Sequence, residues 1–101
     1  MKTLILATAL AALSFTANAE DKPSEKLTLC KELSTLAERY MTLRQSGTSM
    51  ADIYGTANGS KLVELMIVQA YEVPQFGTEK YKLEQVSKFK NEWFLSCIKS
   101  K

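Results

Sequence analysis

The sequence predicts an all-α fold, a compact bundle of about four helices in which one disulfide joins the first and last helices. Three observations support this prediction. Apolar residues recur at three- and four-residue steps along most of the chain, no segment alternates with period two for long enough to be a strand, and the two cysteines lie near opposite ends of the helical part. With 101 residues, 46% hydrophobic and 24% charged, the chain has the composition of one small globular domain.

The N-terminal segment has the three parts of a secretory signal peptide, which predicts that residues 1–19 are removed and that residues 20–101 form a single helical domain. A lysine precedes an apolar core at residues 4–15, and the small residues Ala17 and Ala19 suit cleavage after Ala19. This core is shorter than the roughly 20 residues that span a bilayer, so no stable membrane anchor is expected after cleavage. The short, lysine-led form is typical of bacteria, which predicts a periplasmic location.

The two cysteines predict a disulfide between Cys30 and Cys97, because unpaired thiols are rarely left in an oxidising compartment. The alternatives are two free buried thiols or an intermolecular bridge. A lipid anchor on Cys30 is not expected, since Leu29 stands where a lipobox needs a small residue. If the first and last helices pack along their length, the bond makes them antiparallel and leaves the corners at Gly47 and Gly77 at the opposite end.

Apolar spacing and capping residues define four helices. The predicted helices are 24–45, 50–56, 61–72 and 79–99. The predicted N-caps are Asp21 or Ser24, then Ser49 with Asp52 in a capping box, Ser60 and Thr78. The third helix is apolar on nearly every side, so we expect it to be the central and most buried one. The predicted inner face of the last helix consists of Val86, Phe89, Trp93, Phe94, Cys97 and Ile98.

The composition argues against several kinds of chemistry. The chain has no histidine, which removes the usual general base, the commonest metal ligand and any Ser-His or Cys-His nucleophile. The four glycines form no phosphate-binding loop, and two cysteines so far apart do not make a zinc site alone. Glu64 and Glu72 lie two turns apart on one predicted helix, which a solvated or salt-bridged pair explains better than catalysis. We therefore expect no enzyme, no catalytic residue, no metal and no cofactor.

The charge of the chain indicates little about its partners. A formal charge of +2 is too small to indicate nucleic-acid binding, so no nucleic-acid partner is expected. The last helix and its tail are mildly basic, which a solvated helix face explains better than contact with an anionic surface.

Two polar clusters at predicted helix ends form a candidate protein-binding site. Arg44 and Gln45 close the first helix, while Tyr71 and Glu72 close the third. The simpler structural interpretation is that Arg44 favours the negative end of its helix dipole and pairs with Glu72 to fix the corner. Trp93 is the fifth candidate, because one of two adjacent aromatic residues on a helix is expected to pack inward and leave the other near the surface as an anchor.

Three segments resemble a group of small secreted helical proteins of proteobacteria and their prophages. The segments are CKELSTLA from Cys30, MTLRQSG from Met41 and AYEVP from Ala70, together with the final Cys97. The resemblance covers nearly all of residues 20–101 and implies a compact domain with paired cysteines. The overall plan is also similar to that of periplasmic acid-stress chaperones, in architecture only.

These observations favour a small, exported, non-enzymatic protein that binds a periplasmic or envelope protein. A phage or prophage factor that modulates the host envelope is one form of this hypothesis. The alternative is an acid- or stress-responsive periplasmic chaperone, in which protonation of paired carboxylates loosens the fold while the disulfide limits expansion. A carrier of a small ligand stays open, since a helical bundle can hold one in its core. We expect a monomer or a weak dimer.

Overall fold

Helices occupy most of residues 25–100, which are the residues that the computed structural model describes. No strand occurs in this part of the chain, so the all-α prediction is confirmed. The helices are α1 at residues 25–45, α2 at Met50–Ile53 with a 3-10 turn at Tyr54–Ala57, α3 at Lys61–Glu72, and α4 at Glu79–Lys99. The predicted signal peptide at residues 1–19, its cleavage after Ala19 and the caps Asp21 and Ser24 lie outside the described residues.

Helix α1 ends where the sequence predicts, at a glycine with a left-handed backbone. Gly47 has a φ of 91°, and its N–H donates to the carbonyl of Arg44 at 3.1 Å. The N–H of Thr48 donates to the carbonyl of Leu43 at 3.0 Å. These two hydrogen bonds form a Schellman motif, which satisfies carbonyls at the end of the helix and turns the chain.

The second predicted helix is shorter than expected. It is α-helical only to Ile53 and continues as a 3-10 turn to Ala57, because the hydroxyl of Thr56 donates to the carbonyl of Ile53 and tightens the turn. Asn58 and Gly59 then adopt positive φ angles of 55° and 85°, which asparagine and glycine accept more readily than other residues. The predicted N-caps in the described part of the chain are confirmed: side-chain oxygens of Ser49, Ser60 and Thr78 accept backbone N–H groups. The capping box with Asp52 does not form, because the Ser49 hydroxyl accepts the N–H of Ala51 instead.

The disulfide sets the relative direction of the long helices. Cys30 and Cys97 are bonded with a Cα–Cα distance of 5.5 Å, which confirms the intramolecular pairing and joins the start of α1 to the end of α4. At the opposite end of these helices, the backbone of Gly47 approaches the side chain of Gln75. The long helices are therefore antiparallel. The main chain after α3 meets the end of α1 through Arg44, so α3 runs in the same direction as α1.

The hydrophobic core lies between α1, α3 and α4 and is closed on one side by α2 and its 3-10 turn. Helix α1 contributes three of its buried residues, and every other element contributes at least one. The core residues are Ala37, Tyr40, Met41, Ile53, Ala57, Met66, Ile67, Ala70, Phe89 and Trp93.

Two expectations about burial are wrong. Helix α3 is not buried on nearly every side: Leu62 and Leu65 are 50% and 48% exposed, because only the side of α3 that carries Met66 and Ala70 faces the core. Ile98 is exposed instead of lying on the inner face of α4. At about 100° per residue, five residues beyond the core residue Trp93 point well away from the bundle.

Candidate functional site

The predicted Arg44–Tyr71 cluster forms one corner of the bundle, where α1 and α3 both end. The Arg44 Nε donates to the carbonyl of Val73 at 2.8 Å, and its guanidinium lies 5.2 Å from the centre of the Tyr71 ring. The Tyr71 hydroxyl in turn donates to the carbonyl of Thr48 at 2.6 Å. The structure thus brings Arg44 and Tyr71 together and uses both side chains to join the two chain segments that follow the helices.

Gln45 joins α1 to the loop that follows α3. Its side chain is only 2% exposed, with the Nε2 donating to the carbonyl of Pro74 and the Oε1 accepting the N–H of Phe76, both at 2.9 Å. The main-chain carbonyl of Gln45 accepts hydrogen bonds from the side chains of Gln75 at 3.2 Å and Lys82 at 2.5 Å. One residue therefore ties the end of α1 to residues 74–76 and to α4.

The expected ion pair between Arg44 and Glu72 does not form. No Arg44 nitrogen lies within 4.0 Å of a Glu72 oxygen among the described residues, and Glu72 is exposed. Arg44 is held instead by a main-chain carbonyl and an aromatic ring, which explains why an arginine suits the position better than a lysine would. Arg44, Gln45 and Tyr71 already use polar groups in hydrogen bonds within the chain, which explains them without a partner. Recognition of a partner by this corner stays a prediction.

Replacing Tyr71 with phenylalanine is expected to lower the free energy of unfolding by about 1 kcal/mol near neutral pH, because the hydrogen bond to Thr48 is lost while the ring stays. Burial raises the pKa of Tyr71; the Arg44 guanidinium opposes this effect and the Asp52 carboxylate adds to it. A phenol whose pKa is raised on folding stabilises the protein below the ordinary tyrosine pKa of 10.0, and this contribution is lost as the pH rises through the folded value.

Urea denaturation of both proteins from pH 7 to pH 11 measures this effect. The advantage of the wild type over Tyr71→Phe should shrink at alkaline pH. The exposed Tyr81 supplies the control, since Tyr81→Phe removes a hydroxyl at the surface and should leave the stability unchanged at neutral pH. A constant difference across the pH range would contradict the prediction.

Trp93, the remaining candidate, lies far from this corner, in the half of α4 near the disulfide. Its ring packs in the core with an edge-on contact to Phe89 at a centroid distance of 6.4 Å. Of the two adjacent aromatic residues, Trp93 is thus the inward one, while Phe94 is half-buried. Trp93 also borders two surface depressions, which bring it together with residues that sequence reasoning did not select.

These depressions form a continuous apolar groove at the disulfide end of the bundle. The end hollow has a volume of about 320 Å³ and lies beyond the start of α3, between α1 and α4. The side cleft has a volume of about 450 Å³ and lies between α3 and α4. The end hollow is lined by Leu29, Leu33, Leu62, Trp93, Ser96, Cys97 and Ser100. The side cleft is lined by Leu62, Leu65, Gln69, Glu92, Trp93 and Ser96.

The groove exists because α3 is too short to cover the neighbouring helices. Twelve residues of α3 extend for about 18 Å, whereas the 21 residues of α4 extend for about 31 Å. Since α3 ends near the Arg44 corner, its start leaves the disulfide end of the α1–α4 contact uncovered. Leu29 is consequently 60% exposed, and Leu62 stands half-exposed between the two depressions.

Leu29, Leu62 and Leu65 are the candidate site residues that sequence reasoning missed. The signal was present in the sequence, because α3 carries apolar residues on more sides than one helix of a small bundle can bury. We interpreted that excess as complete burial. The structure shows that the excess lies on the surface, where an exposed apolar cluster with polar edges is typical of an interaction site.

Other kinds of site receive no positive support. Within residues 25–100 there is no group of three or more carboxylate or cysteine side chains that could hold a metal ion. None of the helices in this same range combines the length and hydrophobicity needed to cross a bilayer. Comparison of the chain with protein-family models, curated proteins and solved structures finds no match.

Proposed function

We propose that the protein is a small exported, non-enzymatic factor that binds another protein of the periplasm or envelope through the apolar groove at its disulfide end. The observation that carries this proposal is the exposure of Leu29, Leu62 and Leu65 around a groove with Trp93 at its floor. Complete burial of an exposed leucine side chain contributes about 1.5–3 kcal/mol, so burying the exposed half of these three leucines contributes roughly half of that each.

The shape of the groove favours a protein over a small ligand. Both depressions are open and border one another along the shared residue Leu62, so they present a continuous surface and no enclosed cavity. Small-ligand sites usually enclose most of their ligand and carry several convergent polar groups. The end hollow instead has an almost entirely apolar lining, which suits the apolar side chains of a partner.

Export is supported by two independent features. The first is the signal-peptide pattern of residues 1–19. The second is the disulfide between Cys30 and Cys97, since such bonds persist in oxidising compartments and are rare in the bacterial cytosol. The proposal also includes a prophage origin and a role in modulating the host envelope. Both depend only on the resemblance of the three sequence segments.

The acid-chaperone hypothesis has weaker support. It depends on carboxylates that are paired in the native state, and the described residues contain two such pairs. Glu64 lies 3.6 Å from Lys61, and Glu38 lies 3.3 Å from Lys90. Each pair includes a substantially exposed side chain, and pairs of this kind contribute little to stability. These two pairs therefore give the acid-chaperone hypothesis little support.

The double substitution Leu62→Glu with Leu65→Glu is expected to abolish partner binding without unfolding the protein. Both leucines are about half exposed, and glutamate forms helices well, but its charge is not tolerated in an apolar interface. The full chain is expressed with a C-terminal tag, purified from the periplasm and used to capture proteins from a periplasmic extract. The mass of the purified protein also tests cleavage after Ala19.

The matched control is Leu83→Glu with Leu95→Glu, which changes two leucines of α4 that are slightly more exposed and lie outside the groove. A partner retained by this control and lost from the groove variant would support the proposal. A partner captured equally by both variants would place binding elsewhere and contradict the assignment of the groove. In that case Arg44→Ala tests the corner next.

A further inference from the structure

We infer that the apolar groove is also a self-association surface, on which a second copy of the chain docks across a two-fold axis when the partner is absent. This inference rests on the proposed function, since it takes the same groove to be a protein-binding surface. It adds the identity of one occupant and a form of regulation, because a partner must then displace the second copy.

The first argument is that the half-exposed Leu62 lies directly beside the side cleft of the groove. Leu62 stands half-exposed between the end hollow and the side cleft and lines both of them. A two-fold interface brings the same surface of each copy into contact, so it requires a surface that is complementary to itself. A leucine beside a cleft that is larger than one leucine side chain meets this requirement, since Leu62 of each copy enters the side cleft of the other.

The second argument is charge complementarity. Among the described residues that line the groove, Glu92 is the only charged one. Lys61 directly precedes the projecting Leu62, and its side chain is 94% exposed. When Leu62 enters the side cleft of a second copy, Lys61 is carried toward Glu92 of that copy, and the two-fold axis repeats this pair. Lys61 is released easily, because its contact with Glu64 is a 3.6 Å pair at the surface.

The expected affinity is modest. The self-association surface has few apolar side chains at its centre, which corresponds to the small interfaces of transient complexes and to a Kd of roughly micromolar order. Such a dimer dissociates when a tighter partner is available, so self-association would shield Leu29, Leu62 and Leu65 from unspecific contacts until that partner is met.

The test is sedimentation velocity on the tagged protein purified from the periplasm, from about 1 µM to about 500 µM. We expect a concentration-dependent dimer whose Kd rises about tenfold or more in Lys61→Glu and in Glu92→Lys, since each variant places like charges together. Combining both substitutions reverses the pair and should restore the wild-type Kd. Lys80→Glu, at an exposed lysine at the other end of α4, is the charge control and should leave the Kd unchanged.

Folding does not confound this test. Lys61→Glu removes the surface pair with Glu64, which contributes little to stability, and places an acidic residue in the first turn of α3, where the helix dipole favours it. Glu92 is exposed. Far-UV circular dichroism checks both variants. A protein that is monomeric throughout the range, or a charge reversal that does not restore the dimer, would overturn the inference.

The failure of this inference differs from the failure of the proposed function. A monomer that still captures a partner through Leu62 and Leu65 would overturn self-association and leave the proposed function in place. A dimer that responds to the charge reversal, combined with partner capture that is insensitive to both leucines, would support self-association and contradict the proposed binding site.

Discussion

Replacing Cys30 and Cys97 together with alanine is expected to lower the free energy of unfolding by about 4 kcal/mol. The bond closes a loop with a sequence separation of 67 residues, and the chain-entropy estimate for a loop of that size gives this value. Small domains are stable by only about 5–15 kcal/mol in total. The disulfide therefore supplies a large part of the stability, and the variant should lie close to its folding threshold.

Urea denaturation followed by circular dichroism measures this loss in the variant and in the wild type treated with a dithiol. Without the bond, the unfolded chain is less compact, so the dependence of the unfolding free energy on urea should also steepen. The variant Leu83→Glu with Leu95→Glu, in which the disulfide is intact, is the reference for the effect of two substitutions that leave the bond in place. An unchanged midpoint after complete reduction would show that helix packing alone holds α1 against α4.

Replacing Gln45 with leucine is expected to destabilise the protein by about 3 kcal/mol. Leucine has a similar size but leaves the carbonyl of Pro74 and the N–H of Phe76 without their partners. Each such loss costs about 1–3 kcal/mol, and the lower part of that range applies because both hydrogen bonds are only partly buried. The loop after α3 should detach from α1. Hydrogen exchange at the amide of Phe76 measures this local change, and chemical denaturation measures the global one.

The substitution Gln45→Glu separates the two hydrogen bonds. A carboxylate still accepts the N–H of Phe76 but no longer donates to Pro74, and burial raises the pKa of the introduced carboxyl group. When folding raises the pKa of an acid, the folded state is favoured at low pH and loses stability as the pH rises. The stability of the variant should therefore be closer to that of the wild type at pH 4 than at pH 8. A Gln69→Glu variant, at an exposed position of α3 away from this corner, should lack this pH dependence. The same pH dependence in both variants would contradict the role of Gln45.

Much of the fold could be predicted because its determinants are local. Helix ends depend on residues such as Gly47 and Ser60, whose backbone preference or hydroxyl acts within a few positions of the chain. With only two cysteines there is a single intramolecular pairing, and that pairing sets the direction of α4 relative to α1. These predictions needed no knowledge of how the helices pack.

The candidate site was less predictable because it depends on packing between distant segments. The sequence indicates Arg44 and Tyr71 as candidate residues at two helix ends, and the structure places their side chains in contact. An ion pair with Glu72 was the expected contact, yet the carbonyl of Val73 takes its place. Charge alone suggested a carboxylate partner, whereas the carbonyl becomes available only when the chain leaves α3 and passes beside α1.

The sequence by itself determined the helical class, the end of α1, both ends of α3 and α4, and the disulfide. It also predicts export. These features could be predicted because capping, apolar periodicity and cysteine number act locally or by simple pairing. Only the tertiary structure decided which side of α3 is exposed and where the apolar groove lies. The physical reason is length: α3 covers only part of the contact between α1 and α4, so Leu29 and Leu62 remain on the surface at the end that it leaves open.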